Sequence, residues 1–329
     1  MVEAEREEQA AAVRRWPAVL AILAAALVVV IRLTGWRLGF LEVPAVQAWT
    51  TVFVAIVIQA IPFLVFGVLI SALIATAVPP SFFARALPKS QLAAVPMASL
   101  AGGVLPGCEC ASVPIARRLI SRGVPPAAAL AFLLSAPAIN PIVIVATAVA
   151  FPGEPRIVLG RVIASVVVSV TVGLVWTKLG RPEWTLVRQR KERTGSTKLE
   201  QFAAEARHDF LQAGGFLVIG GMAAATMNVV VPQQVLDTIG GSVWLGVLTL
   251  GVLAVILAIC SEADAFIAAS LTQFSPTAQL TFMVIGPMVD VKLIAMQVGT
   301  FGRAFALRFA PLVFGTGIVV TVLVGMVML

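Results

Sequence analysis

Apolar residues along this chain run in long blocks, separated by short polar segments. Six windows, 49–78, 126–152, 157–177, 210–231, 277–299 and 304–329, each hold about 20 or more predominantly apolar residues, the length a helix needs to cross a hydrocarbon core of roughly 30 Å. A further apolar stretch, 17–31, follows Arg14 and Arg15. An acidic start (Glu3, Glu5, Glu7, Glu8) and the lack of a small-residue cleavage site argue against a signal peptide. It is read as a first spanning helix.

Two of these blocks are copies of one another. Gln59-Ala60-Ile61-Pro62-Phe63-Leu64-Val65-Phe66-Gly67, running on to Val78-Pro79, recurs 153 positions later as Gln212-Ala213-Gly214-Gly215-Phe216-Leu217-Val218-Ile219-Gly220, running on to Val231-Pro232. Beyond it, Cys108-Glu109-Cys110-Ala111 faces Cys260-Ser261-Glu262-Ala263, and Pro137-Ala138-Ile139-Asn140 faces Pro287-Met288-Val289-Asp290. Internal duplication in a membrane chain is a transporter architecture. Segment 92–123 is too short for two spans and too rich in Pro and Gly (Pro96, Gly102, Gly103, Pro106, Gly107, Pro114) for one. It is read as a re-entrant hairpin with its tip at 106–110, matched in the second copy by 243–271 with a tip at 260–262. Such broken backbone survives at membrane depth only when enclosed by protein or lining a wet cavity.

The expected fold is therefore an all-α polytopic membrane protein: one N-terminal helix plus two repeats, each with three spanning helices and a re-entrant helical hairpin. An odd number of crossings per copy inverts the second copy. The divisions are 1–45 (tail and first helix), 46–177 (first repeat), 178–209 (basic linker) and 210–329 (second repeat). With the amino terminus cytoplasmic, all of the 23 basic residues except Arg32, Arg37, Arg156 and Arg161 fall on or toward the cytoplasmic side, as the positive-inside rule requires.

Composition agrees: 60% of residues are hydrophobic, 12% are charged, and mean hydropathy is +1.01, values of an integral membrane protein. A net charge of +7 suggests nucleic acid until its distribution is considered. Eight of the basic residues lie in the linker, a solvated positive-inside loop, so no nucleic-acid partner is expected. The expected partners are the lipid bilayer, as a multi-pass cell-membrane protein, and a small-molecule substrate; the oligomeric state is left open. His208, the lone histidine, lies in the linker and carries no expected role. No phosphate-cradling Gly-x-x-x-x-Gly-Lys-Ser/Thr loop is present, so transport would be secondary or facilitated and needs no cofactor.

Three cysteines remain, all at the duplicated breaks. Thiolate is the soft side-chain ligand, suited to thiophilic ions and metalloids. Cys108 and Cys110 flank one residue at a helix break, and Cys260 occupies the matching tip, so opposed hairpins would bring three sulfurs together. The plainer reading is that a buried cysteine is a small apolar residue. Acids at membrane depth cost at least a few kcal/mol each and call for a reason. Glu109 lies between two cysteines, Glu262 and Asp264 follow the third, and Asp290 and Lys292 sit mid-span. The functional reading makes Glu262 and Asp264 proton or ion carriers and Lys292 an internal counter-charge or anion contact; the alternative has Lys292 snorkelling to the interface. Asn140 and Asp290, each three residues after a proline, would cap a broken helix or coordinate a permeant species. Arg117 and Arg118 read as interfacial anchors. Gly102, Gly103, Gly220 and Gly221 read as close-packing positions, and Gln59 and Gln212 as buried structural hydrogen-bonders.

The run Pro106-Gly107-Cys108-Glu109-Cys110-Ala111-Ser112-Val113-Pro114-Ile115-Ala116-Arg117-Arg118-Leu119, continued by Gly123-Val124-Pro125-Pro126 and Ser135-Ala136-Pro137-Ala138-Ile139-Asn140-Pro141, resembles the signature of the predicted-permease family that includes the ArsP-type organoarsenical exporters. Cys260-Ser261-Glu262-Ala263-Asp264-Ala265-Phe266 is similar to its second-half motif. The resemblance spans about 45–329. It implies that thiols at Cys108 and Cys110 bind trivalent organoarsenicals. Glu109 departs from the small uncharged residue often found there, and a carboxylate at that point would repel anionic cargo unless protonated. The expectation is a permease exporting a small thiophilic solute through a midplane site of Cys108, Cys110, Cys260, Glu109, Asn140 and Asp290. Another anion or a thiol metabolite is the alternative cargo. A membrane thiol oxidoreductase is the alternative class, weakened by the absence of Cys-x-x-Cys spacing.

Overall fold

A computed structural model describes residues 44–77, 88, 90–104, 109–180, 197–230 and 243–329, together with 22, 26, 29 and 30. Most of the expected first spanning helix, most of the basic linker, and residues 105–108 of the first tip, Cys108 among them, lie outside the described residues.

From Pro44 onward the described helices are α1 (Pro44–Ala77), α2 (Gln91–Gly102), α3 (Glu109–Ser121), α4 (Pro126–Ile139), α5 (Pro141–Ala150), α6 (Pro155–Leu179), α7 (Lys198–Val230), α8 (Val243–Leu257), α9 (Asp264–Ser270), α10 (Pro276–Met288), α11 (Val291–Phe301) and α12 (Arg303–Met328). Among the described residues, six stretches are long and apolar enough to cross a membrane: Pro44–Ala77, Pro126–Ala150, Pro155–Leu179, Leu199–Thr226, Pro276–Phe301 and Arg303–Met328. Each overlaps one of the six apolar windows. Proline opens five of the helices, α1, α4, α5, α6 and α10, where its missing N–H and fixed φ suit the first turn.

Two of the spans are broken in the middle. Pro141 cannot donate to the carbonyl four residues back at Pro137, so the helix stops at Ile139 and restarts after Asn140, which is extended at φ −69°, ψ 157°. In the other half, α10 holds Pro287 one residue before its end, and Asp290 is extended at φ −139°, ψ 169°. In each case the junction side chain caps the restarting helix. Asn140 Oδ1 accepts from Val143 N at 3.0 Å and its Nδ2 donates to Ala136 O at 3.2 Å. Asp290 Oδ1 accepts from Leu293 N.

Corresponding helices of the two halves pack on each other: α1 on α7, α4 on α10, α6 on α12. Trp49 Nε1 donates to Thr226 Oγ1 at 2.9 Å across the first pair, and Trp176 meets Phe305 and Phe309 edge-on at 5.3 Å across the third. Helices α2 and α3 lie against α4, and α8 and α9 against α10; α3 also touches α11, and α9 touches α5. One apolar core runs through both halves. Glycines permit the closest approaches. A Cβ on Gly67 would stand 2.5 Å from Ala111 Cα, and one on Gly220 2.7 Å from Lys292 Cα, distances that only a missing side chain allows.

Three expectations are revised here. Gln59 is exposed rather than buried; its counterpart Gln212 is inward, donating from Nε2 to Gly299 O at 2.8 Å. Arg117 and Arg118 are not interfacial anchors. Arg117 Nη1 reaches Asp209 Oδ1 and Gln212 Oε1, both at 3.1 Å, while Arg118 Nη2 reaches Glu205 Oε2 at 2.6 Å and Asp209 Oδ2 at 3.1 Å. Ser71 Oγ adds a bond to Asp209 Oδ2 at 2.8 Å. The cause is burial: Asp209 is 3% exposed, and a carboxylate there needs counter-charge. Helix α7 begins at Lys198 and runs unbroken into its span, so it carries Glu205 and Asp209 to the arginines of α3.

Candidate functional site: two helix breaks around a buried charge cluster

Of the two tips, the second is described throughout, and the first only from Glu109 onward. The first ends where Glu109 opens α3, its carboxylate in the first turn, where the positive end of the helix dipole favours it. At the second tip, α8 stops at Leu257 and Ala258 takes φ 49°, a left-handed conformation that costs a non-glycine residue energy and that clusters at functional sites. The chain then turns tightly, with Cys260 O accepting from Ala263 N at 2.9 Å and Asp264 N at 3.1 Å.

Lys292 joins the two tips. Its Nζ donates to Glu109 Oε1 at 2.6 Å and to the carbonyl of Ala258 at 3.3 Å, and lies 4.0 Å from Cys260 Sγ. Asp290 Oδ2 is 3.7 Å from the same nitrogen. Lys292, Glu109 and Asp290 are all fully buried, so Lys292 does not snorkel out of the protein. The helix break makes this possible: Asp290 is extended, so a residue two positions before Lys292 can still point toward its ammonium. Cys110 and Cys260 are buried, both within electrostatic range of Lys292. Asn140 stands at the matching break of the first half, its amide bonding Ala136 O and Val143 N.

A second ion pair adjoins the first. Arg161 on α6 is 1% exposed, enclosed by protein rather than facing solvent. Its Nη2 donates to Asp264 Oδ2 at 2.7 Å and to Ser261 O at 3.2 Å, and its Nη1 to Thr147 Oγ1 at 2.8 Å. Arg161 is the residue that the sequence reading missed. A signal existed: Arg161, Ser165 and Ser169 recur every four residues, and such a polar series in an apolar helix faces protein rather than lipid. The two pairs are reciprocal. Lys292 of the second half holds the acid at the first tip, and Arg161 of the first half holds the acid at the second.

Electrostatically these groups form one centre. Glu262 lies within range of Glu109, Lys292 and Arg161, and Asp264 within range of Glu109 and Glu262. Four carboxylates (Glu109, Glu262, Asp264, Asp290) therefore share two cations (Arg161, Lys292). Fully ionised, they leave an excess of two negative charges. The excess matches the hydrogen bonding: Glu109 Oε2, both oxygens of Glu262, Asp264 Oδ1 and the hydroxyls of Ser261 and Ser165 are buried with no hydrogen-bond partner among the described residues. Each such group costs about 1–3 kcal/mol, so the arrangement suits a proton, a cation or a polar solute drawn into it. Among the described residues, no group of three or more His, Cys, Asp and Glu side chains is arranged to hold a metal ion.

The predicted permease family model, of the ArsP type, matches residues 45–329. A Bacillus subtilis (strain 168) protein named "UPF0718 protein YcgR" is 37% identical over 285 residues, covering 84% of this chain and 94% of its own. A Streptococcus mutans protein named "Putative two-component membrane permease complex subunit" is 33% identical over 267 residues, covering 78% of this chain and 88% of its own. No solved structure matches the chain significantly. With the six apolar helices and the family match over the whole duplicated region, the chain belongs to the ArsP-type predicted permease family.

Proposed function

We propose that the chain is a secondary permease that exports a small thiophilic solute, such as a trivalent organoarsenical, through a midplane site between two opposed tips. The observation that carries this reading is the Lys292 ammonium, which lies within reach of Glu109 from one tip and Cys260 from the other. Residue 110, a thiol, follows Glu109 directly, so sulfur from both halves borders one enclosed charge cluster. A soft thiol pair suits a thiophilic metalloid, and the carboxylate excess opposes an anionic cargo.

Inverted repeats with re-entrant tips would fit the same reading. The contacts of α1 with α7, α4 with α10 and α6 with α12, and the matching contacts of α3 with α11 and α9 with α5, are those that a two-fold relation between the halves would generate. The proposed site residues are Cys108, Cys110, Cys260, Glu109 and Asp290, with Glu262, Asp264 and Lys292 coupling transport to a proton or ion. The protein would sit in the cell membrane with its amino terminus and basic linker cytoplasmic. The name of the Streptococcus relative as a complex subunit raises a partner chain as a second element of the working transporter.

The test is uptake of a trivalent organoarsenical by everted vesicles. Cys110→Ser and Cys260→Ser should each abolish energised uptake while leaving the amount of protein in the membrane unchanged. Uptake that survives both substitutions refutes the thiol site.

A further inference from the structure

We propose that the second tip binds a hard monovalent cation of sodium size, held by Ser261, Glu262 and Asp264 beside Arg161. The inference rests on the permease reading only for its purpose, as the coupling ion; the site itself stands on geometry.

Arg161 fixes one side of the tip. Its Nη2 takes Asp264 Oδ2 and the Ser261 carbonyl, at 2.7 and 3.2 Å. That leaves Asp264 Oδ1, Ser261 Oγ and both Glu262 carboxylate oxygens without a partner among the described residues, all with their atoms buried. Asp264 and Ser261 are at most 1% exposed. Four oxygens within residues 261–264 thus belong to one tight turn, closed on Cys260 O, and have no side-chain partner among the described residues. Ser165 supplies a further unpartnered hydroxyl one turn along α6 from Arg161, on the same face.

The donor set decides the ligand class. All these atoms are oxygen, which suits a hard cation rather than a soft one. Charge decides the valence: when both are ionised, Glu262 and Asp264 carry two negative charges, Arg161 returns one, and a single monovalent cation closes the difference. The other ionisable groups in range, Glu109 on α3 and Lys292 on α11, are paired with each other. A proton would also balance the charge. It would satisfy only one oxygen as a donor, however, and leave the rest of the set as it stands, whereas a cation engages several oxygens together. Broken helices at membrane depth are also where coupling ions are coordinated in secondary transporters.

The experiment is radiosodium binding to the purified full chain in detergent, with choline chloride holding ionic strength constant and thermal unfolding measured in parallel. Saturable sodium binding is expected, with a sodium-dependent rise in Tm that choline does not reproduce. Glu262→Gln and Ser261→Ala should each weaken binding by about tenfold or more, which is about 1.4 kcal/mol. Arg156→Gln, at an exposed position on the same helix as Arg161, should leave it unchanged. Should Glu262→Gln fold poorly, Ser261→Ala, a loss of one hydroxyl, still reads the site. Absence of saturable binding overturns the proposal, as does binding that both variants leave unaltered or a Tm that follows pH with no sodium dependence. Sodium binding that persists while arsenical transport fails would remove the cargo reading alone. Arsenical transport that persists without sodium binding would remove the cation site alone.

Discussion

Replacing Lys292 by methionine should be among the most damaging single changes in this protein. The side chain is fully buried, and its ammonium donates to Glu109 at 2.6 Å and lies 3.7 Å from Asp290. Methionine fills a similar volume but leaves two carboxylates facing each other without their cation. Breaking a buried pair from one side costs about 3–5 kcal/mol, because a buried charge is left uncompensated. Glu109→Gln is expected to cost less, about 1.5–3 kcal/mol, the worth of a hydrogen bond to a charged group, since Lys292 keeps Asp290. The informative variant is the double one. Once Glu109 is neutral, removing the lysine strands one carboxylate instead of two, so the double variant should be more stable than the sum of the singles by about 0.5–3 kcal/mol. Equilibrium unfolding in mixed detergent micelles, followed by tryptophan fluorescence, measures all three. A Lys292→Met cost below about 1 kcal/mol, or singles that add within about 0.5 kcal/mol, would refute the claim that this pair is a buried charge interaction of the folded state.

Two further outcomes follow from the geometry. Gly67→Ala and Gly220→Ala each place a methyl against backbone, 2.5 Å from Ala111 Cα and 2.7 Å from Lys292 Cα; overpacking of this kind should cost about 1–3 kcal/mol, and a fall in unfolding midpoint without loss of insertion checks it. Asp290 combines two roles, capping α11 and facing Lys292, which Asp290→Asn and Asp290→Ala should separate. The asparagine variant keeps the cap and should be more stable than the alanine by about 1 kcal/mol, measured by the same unfolding assay; equal stabilities would mean that the cap contributes nothing.

The breaks at residues 140 and 290 were legible because their causes are local. Proline removes a donor wherever it stands, and an Asn or Asp three residues after a proline is a ready cap for the helix that restarts. The break between α8 and α9, which carries Cys260, was legible through duplication. Arg161 was not. At the start of an apolar helix, shortly after Gly153 and Pro155, an arginine resembles an interfacial anchor, and only the position of Asp264, 103 residues away, turns it inward. Arg117 and Arg118 were misjudged in the same way, since their partners Glu205 and Asp209 sit in a stretch that composition marks only as a basic linker.

Sequence alone determined what each segment is: which blocks are long and apolar enough to cross a bilayer, where helices must stop, and which positions are duplicated. Those properties depend on residue chemistry and on neighbours a few positions away. Tertiary structure decided which charges meet. The Glu109–Lys292 pair spans 183 residues, and spacing along a chain carries no information about which of several buried acids a buried cation will face. Helix packing settles that, here through glycines that let α1 reach α3 and α7 reach α11, drawing both broken tips onto one cluster whose carboxylates outnumber its cations.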